Sequence, residues 1–274
     1  MRYSTIRNTD INVSRISFGT ASLHHLLSSK KRILLLKKAL ALGITHFDTS
    51  PYYGYGLSEI DVGKFSKRQR NEITITTKVG LYPPNNSSYN SFSIFTRKTL
   101  GKLYTKLSKP EVDWRIEVAK QSLESSLRRL NTDYVDFLFL HEPNIAIIQT
   151  DEYMKWTEEL IKHGKIRHYG LAGLPDLIKP WIDKNHSMCQ IIQTRDSFSD
   201  SELFNSFLKK GYEPQFTYGL FSQVSKSKRI NHSEKILINA LDRNSSGSVI
   251  ISTRKLSRLE ELTKIFLDEK HKSN

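Results

Sequence analysis

GITHFDTSPYYGYGLSE, residues 43–59, opens as a strand and breaks off at a carboxylate. Ile44 to Asp48 is a short apolar run of the kind that forms a buried strand, and the Pro-Tyr-Tyr-Gly-Tyr-Gly after it has the composition of a turn. Two later runs end in the same way. Ile73 to Lys78 stops at a lysine, and Val135 to Leu140 runs directly into His141. Polar, titratable residues at the ends of hydrophobic runs have a meaning in a barrel of parallel strands. There the strand ends meet on one face, so residues as distant in sequence as Asp48 and His141 converge.

The rest of the chain supports that architecture. Further strand-like runs are Arg15 to Gly19, Ile166 to Leu171, Cys189 to Thr194, Gln215 to Tyr218 and Val249 to Ser252. Helix-like segments lie between: Ser29 to Leu42, Ser58 to Ser66, Asp113 to Leu130, Asp151 to His163, Pro175 to Lys184, Asp200 to Lys210, Ser233 to Asn244 and Ser257 to Glu269. Strands alternating with helices imply a parallel sheet, and 274 residues suit one closed (β/α)8 barrel, the TIM-barrel class of α/β fold. A small hairpin, Tyr3 to Ile6 and Ile11 to Val13 around Asn8-Thr9-Asp10, is expected to plug the bottom of the barrel. No linker or repeat marks a boundary, so residues 1–274 are expected to form a single domain. Gly80 to Pro110 reads as a long loop over the catalytic face, where Arg97, Lys98 and Lys102 hint at an anionic substrate.

Composition narrows the function. A hydrophobic share of 38% is that of a soluble protein, no apolar run approaches ~18 residues, and MRYSTIRNTD lacks a signal peptide's plan. A cytoplasmic location with no membrane partner is therefore expected. The net charge of +14 is spread over separate short tracts with no nucleic-acid-binding motif beside them. We therefore expect no nucleic-acid partner, and read the charge as a basic surface or an attraction for a phosphate-bearing ligand. The lone Cys189 and the absence of metal-ligand spacing among the nine histidines predict no metal site. His46, two residues before Asp48, is expected to face inward as a hydrogen-bonded barrel histidine.

The chemistry starts from Tyr53. A free tyrosine, with a pKa of about 10, is a poor acid at neutral pH, and Lys78 is placed to stabilise its phenolate. A lysine at that depth needs a counter-charge, which Asp48 supplies. His141 can then orient a carbonyl oxygen that Tyr53 protonates as hydride reaches the carbon. Each residue alone has a structural explanation, such as a cap, a loop aromatic or a strand terminus. Four in this order, at consecutive strand ends, argue for an enzyme acting on a small carbonyl compound.

The stretch at 43–59, the lysine of TITTKVG, the LHEP after the fourth strand and the later GKIRHYG together resemble the aldo-keto reductase family over nearly the whole chain. The resemblance implies an NADPH-dependent reductase in which Tyr53 is the acid, Asp48 and Lys78 tune it and His141 positions the substrate. It also implies that Gly19, Thr20, Asp48, Gln193 and Tyr218 bind the nicotinamide half of NADP, Gln193 at the carboxamide and Tyr218 against the ring. Ser252, Thr253, Arg254, Arg258 and Glu261 would hold the adenosine half. The basic residues at that helix start favour the 2′-phosphate of NADP. Three departures stand out. The family's serine and asparagine after strand five are Ala172 and Gly173, the usual serine-proline-leucine after strand seven is Gly219-Leu220-Phe221, and the terminal asparagine is Leu262. Two other readings stay open: an NAD(P)-linked sugar dehydrogenase, and a cofactor-binding regulatory subunit that has kept the fold without turnover.

Overall fold

A computed structural model describes residues 1–84, 110–197, 201–222 and 233–268. Among these residues, eight parallel strands close a barrel: β3 (Ile16–Gly19), β4 (His46–Asp48), β5 (Thr74–Val79), β8 (Val135–His141), β9 (Ile166–Gly173), β10 (Ile192–Arg195), β11 (Phe216–Tyr218) and β12 (Ser248–Ile251), which pairs back onto β3. Each is followed by a helix: α1 (Ser29–Ala41), α2 (Leu57–Ser66), α3 (Ile116–Leu130), α4 (Thr150–Lys162), α5 (Pro175–Asp183), α6 (Ser201–Lys209), α7 (Ser233–Arg243) and α8 (Leu256–Asp268). The fold is the (β/α)8 barrel expected from the sequence. In α3 the reason for the helix is plain, since Ala119, Leu123, Ser126, Leu127 and Leu130 are buried along one stripe. Asn131 ends it in the left-handed region, with φ 52°.

Strand alternation sets up the site. On β8, Leu138 and Leu140 point outward into the main core with the helices, while Phe137 and Phe139 point inward to a second apolar cluster. The same period places His141 inside, at the last position of the strand. On β5, Ile75 and Val79 go to the outer core, leaving Thr74, Thr76 and Lys78 for the interior. The barrel is thus apolar below and polar at its carboxyl end.

The hairpin of β1 (Tyr3–Thr5) and β2 (Asn12–Ser14) closes the lower end. Ile6, Ile11 and Val13 pack on Phe137, Phe139, Ile191 and Phe216. Asn8 donates to the Gln190 carbonyl at 3.0 Å, and Asp10 pairs with Arg167 at 2.9 Å. At the opposite end, β6 (Leu81–Tyr82) pairs antiparallel with β7 (Glu111–Val112), the two ends of the long connection after β5. Arg97, Lys98 and Lys102 lie outside the described residues. Among those residues, no helix is long and apolar enough to cross a membrane, and no cluster of His, Cys, Asp or Glu could hold a metal ion.

One expectation is corrected. Cys189 is not part of a strand but of a short turn of 3-10 helix, Ser187–Gln190, and β10 starts at Ile192. His186 starts that turn, because its ring accepts from the Met188 N–H at 3.2 Å and its carbonyl accepts from the Cys189 N–H at 3.0 Å. The thiol is buried and pushed up to about 12 by desolvation, so it is inert.

His46 faces the interior as expected. Its ring stacks on Phe216, centroids 4.6 Å apart, and bonds Thr74 and Thr76 at 2.8 and 3.1 Å. Burial, then the charge of Lys78, lowers its pKa to about 3. The unfolded chain, with its histidine near 6.5, therefore binds more protons than the native state between pH 6.5 and 3. Stability from this residue is complete above pH 6.5 and is lost as the pH falls toward 3. Urea denaturation should show wild type losing about 1.4 kcal/mol per pH unit more than His46→Gln between pH 6 and 4. Parallel slopes for the two proteins would disprove a neutral buried histidine.

Candidate active site

Asp48 is the last residue of β4, Lys78 the penultimate residue of β5 and His141 the last of β8. The strand register sets them around one opening. Lys78 is buried to 1% exposure; its ammonium donates to Asp48 Oδ1 at 2.5 Å and to the Thr49 carbonyl at 3.0 Å. Burial pulls its pKa below the ordinary lysine value, and Asp48 works against that pull. Gln193 on β10 donates to the same carboxylate oxygen at 3.0 Å, so Asp48 holds two neighbours at once.

Tyr53 hangs from the loop after β4. Its position depends on three successive left-handed residues, Gly54 (φ 59°), Tyr55 (φ 53°) and Gly56 (φ 88°), which fold the chain sharply after it. A Cβ on Gly54 would come within 2.6 Å of His24 Cβ, so glycine is required there for space as well as for φ. The Tyr53 ring lies edge-on to His141 at 5.8 Å, and the Lys78 ammonium is 5.0 Å from its centroid. Proximity to Lys78 does not lower the phenol. Burial pushes it well above the usual tyrosine value, and Asp48, Tyr218 and Glu142 add to the rise. The lysine's charge is largely taken up by Asp48, so the resting phenol is firmly protonated.

His141 is held far below its ordinary pKa by burial and by the charge of Lys78, so its ring is neutral. Ser50 Oγ accepts from the Tyr52 N–H at 3.2 Å and lies 3.4 Å from His141 Nδ1. The serine still has its O–H and a second lone pair, so it pairs with either neutral tautomer of His141. A neutral ring that accepts at Nδ1 carries its own proton on Nε2.

A cavity of about 380 Å³ opens at these strand ends, within the range of small-molecule sites. It is lined by Gly19, Asp48, Tyr53, Lys78, His141, Gln193, Tyr218 and Ser252, all singled out in the sequence. It is also lined by Glu142, Ala172, Leu220, Phe221 and Ile250. Glu142 and Ser50 carried a signal that went unused: one follows a strand-end histidine directly, and the other follows the strand-end aspartate by two residues.

Other predicted residues stand apart from the cavity. Thr20 is buried, its hydroxyl donating to the Asp48 carbonyl at 3.0 Å and its own carbonyl accepting from Ser58, so it braces the loop below the site. Thr253 accepts from the Lys255 N–H at 3.2 Å, at the start of α8, where Arg254 is exposed. Arg258 and Glu261 bond each other at 2.6 Å and share Ser233, so their charges offset one another. Leu262 is 2% exposed in the outer core and cannot serve a ligand. His24, after β3, packs against Gly54.

Residues 15–193 match the model of the aldo/keto reductase family. The chain belongs to that family. Over 176 residues it is 30% identical to L-galactose dehydrogenase of Arabidopsis thaliana, covering 61% of this chain and 47% of the relative. Over 218 residues it is 29% identical to NADH-specific methylglyoxal reductase of Escherichia coli (strain K12), covering 76% and 63%. The matched region thus spans less than two thirds of either relative. The aldo-keto reductase AKR11C1 from Bacillus halodurans in its holo form shares the fold, with a TM-score of 0.77, 22% identity and coverage of 97% and 91%.

Members of this family use a nicotinamide cofactor, and the residues present fit one. Gln193 Oε1 is buried with no partner, an acceptor waiting for an N–H. A Cβ on Gly19 would lie 2.7 Å from Ser252 Oγ and 2.8 Å from Ile250 Cγ2, so the cavity wall there is bare backbone. Breaking the buried pair has a predictable cost. Lys78→Met leaves Asp48 charged and desolvated, and should lower the unfolding free energy by ~3–5 kcal/mol in urea titrations. A loss below ~1 kcal/mol would mean that Asp48 is not ionised beside Lys78.

Proposed function

We propose that the protein reduces a small aldehyde or ketone to the alcohol with NADPH, Tyr53 acting as the general acid. The observation that carries this reading is the convergence of a protonated Tyr53, a neutral His141 and the Lys78–Asp48 pair on one cavity. When bound, the reduced cofactor supplies hydride to the carbonyl carbon. The rest falls to the protein. In the tautomer that carries its proton on Nε2, His141 donates a hydrogen bond that orients the carbonyl oxygen. As that oxygen gains negative charge it becomes a stronger base than phenolate, and the Tyr53 proton moves to it. The phenolate left behind lies next to the Lys78 ammonium and is reprotonated from solvent. The elevated phenol pKa keeps the proton in place until charge develops on the substrate.

The same groups serve the reverse direction, in which Tyr53 takes a proton from a hydroxyl. The likeness to L-galactose dehydrogenase supports that second reading, oxidation of a sugar, at the same site. Preference for NADPH rests on Arg254 and Lys255, exposed at the start of α8, where the helix dipole favours a phosphate. Because one relative is NADH-specific, the preference follows from these two residues and not from family membership.

Following nicotinamide absorbance with a panel of aldehydes, including sugars and methylglyoxal, tests the reaction. Tyr53→Phe should lower kcat by ~10²–10⁴-fold with cofactor binding retained. Tight binding without turnover on any substrate would instead favour a regulatory subunit. Arg254→Ala should weaken NADPH about 10-fold and leave NADH unchanged, as direct titration would show. Equal loss for both would remove Arg254 from 2′-phosphate recognition.

A further inference from the structure

Glu142 follows His141 out of β8 and lines the cavity. Its backbone is left-handed, φ 55°, a conformation that costs a residue with a side chain on the order of 1 kcal/mol and persists only where neighbours enforce it. Two bonds do so. The Glu142 N–H donates to the Ala172 carbonyl at 2.7 Å, and Oε2 accepts from the Leu174 N–H at 2.9 Å. Together they turn the side chain back over the end of β9.

That is the volume a side chain at position 173 would fill. A Cβ built on Gly173 would lie 3.2 Å from Glu142 Oε2, 3.2 Å from Pro143 Cδ and 3.3 Å from Glu142 Cα. Anything longer displaces the carboxylate. The absence of a side chain at Gly173 and the inward turn of Glu142 are therefore one structural feature.

The strand register aligns this carboxylate with the rest of the site. His141 and Gln193 both pair with Ala172, forming a level row across β8, β9 and β10, and Glu142 and Gly173 stand one residue further toward the opening. Gln193 commits its NH2 to Asp48, and its Oε1 is buried without a partner. Glu142, which lines the same cavity, commits Oε2 to Leu174, feels the charge of Arg195 and has Oε1 as its second acceptor. Two residues that line one cavity thus carry acceptors, and the one on Gln193 is buried without a partner. A buried acceptor left unpaired costs about 1–3 kcal/mol, so the ligand group that fits is one with two donors on a single nitrogen, a primary amide.

We propose that Glu142 anchors the carboxamide NH2 of the nicotinamide, together with Gln193, in place of the asparagine that this chain lacks at Gly173. The proposal rests on the reading that the cavity binds a nicotinamide cofactor. A carboxylate acceptor makes a stronger bond to an amide N–H than a neutral acceptor does. The substitution at Gly173 is on this account compensated by the residue that occupies its space.

The test compares NADPH with its reduced 3-acetylpyridine analogue, in which a methyl ketone replaces the amide and offers no N–H. Dissociation constants come from quenching of protein fluorescence, with no substrate present. Glu142→Ala should weaken NADPH by ~10-fold or more and the analogue by less than ~2-fold, and Glu142→Gln, whose single amide oxygen cannot accept from both the Leu174 N–H and the carboxamide, should also weaken NADPH more than the analogue. Equal weakening of both ligands in Glu142→Ala, or no weakening of either, overturns the proposal and leaves the nicotinamide reading intact. Failure of the wild-type protein to bind either ligand overturns the nicotinamide reading and the proposal together.

Discussion

The Lys78–Asp48 ion pair is the constraint around which the upper barrel is arranged. Each partner is buried, and neither charge could stay there without the other. Asp48 also receives Gln193, and Lys78 also reaches the Thr49 carbonyl, so the pair ties β4, β5 and β10 together across the opening. Its electrostatic reach is wider. The Lys78 charge helps keep both His46 and His141 neutral, one as packing in the apolar layer and the other in the wall of the cavity. Because Asp48 largely offsets that charge, Tyr53 stays protonated at 5.0 Å from it.

Most of the architecture was legible because two periodicities carry it. Strand runs such as Ile73 to Lys78 and helix stripes such as Ala119 to Leu130 follow directly from what must be buried on both faces of a parallel sheet. The ends of the strands were legible for the same reason, since a lysine or histidine closing an apolar run is out of place unless it has a use. Cys189 misled because apolar composition does not distinguish a strand from a tight turn on the way into one. The turn is dictated by the His186 ring, a side-chain bond that periodicity does not register.

Within the site, residues whose place is fixed by strand alternation were found, and of the residues placed by loop conformation Tyr53 was found and Glu142 was not. Asp48, Lys78, His141 and Gln193 belong to the first kind. Glu142 belongs to the second, because a residue just past a strand end is normally free to point outward. Only the left-handed turn at Glu142, and the room left by Gly173, bring it in. Ala172 and Gly173 read as losses in the sequence because the missing side chains are visible there and the acceptor that Glu142 turns into the space beside Gly173 is not. At the adenosine end, Arg258 and Glu261 look available in sequence and are engaged with each other in space.

The surface charge and the site charge are separate matters. The chain carries +14 overall, yet the charged residues lining the cavity among those described are Asp48, Glu142 and Lys78. His141 adds no charge, and one of the two carboxylates is already matched by Lys78. Exposed lysines and arginines act across water, where screening limits them to about 8–10 Å at ordinary ionic strength. Burial pushes the Glu142 carboxyl up, whereas Leu174, Arg195 and Lys78 pull it down, so its ionisation is set locally by the site. Basic residues at the surface therefore bear on how an anionic cofactor approaches, and the described lining of the cavity favours groups that donate hydrogen bonds over groups that carry negative charge.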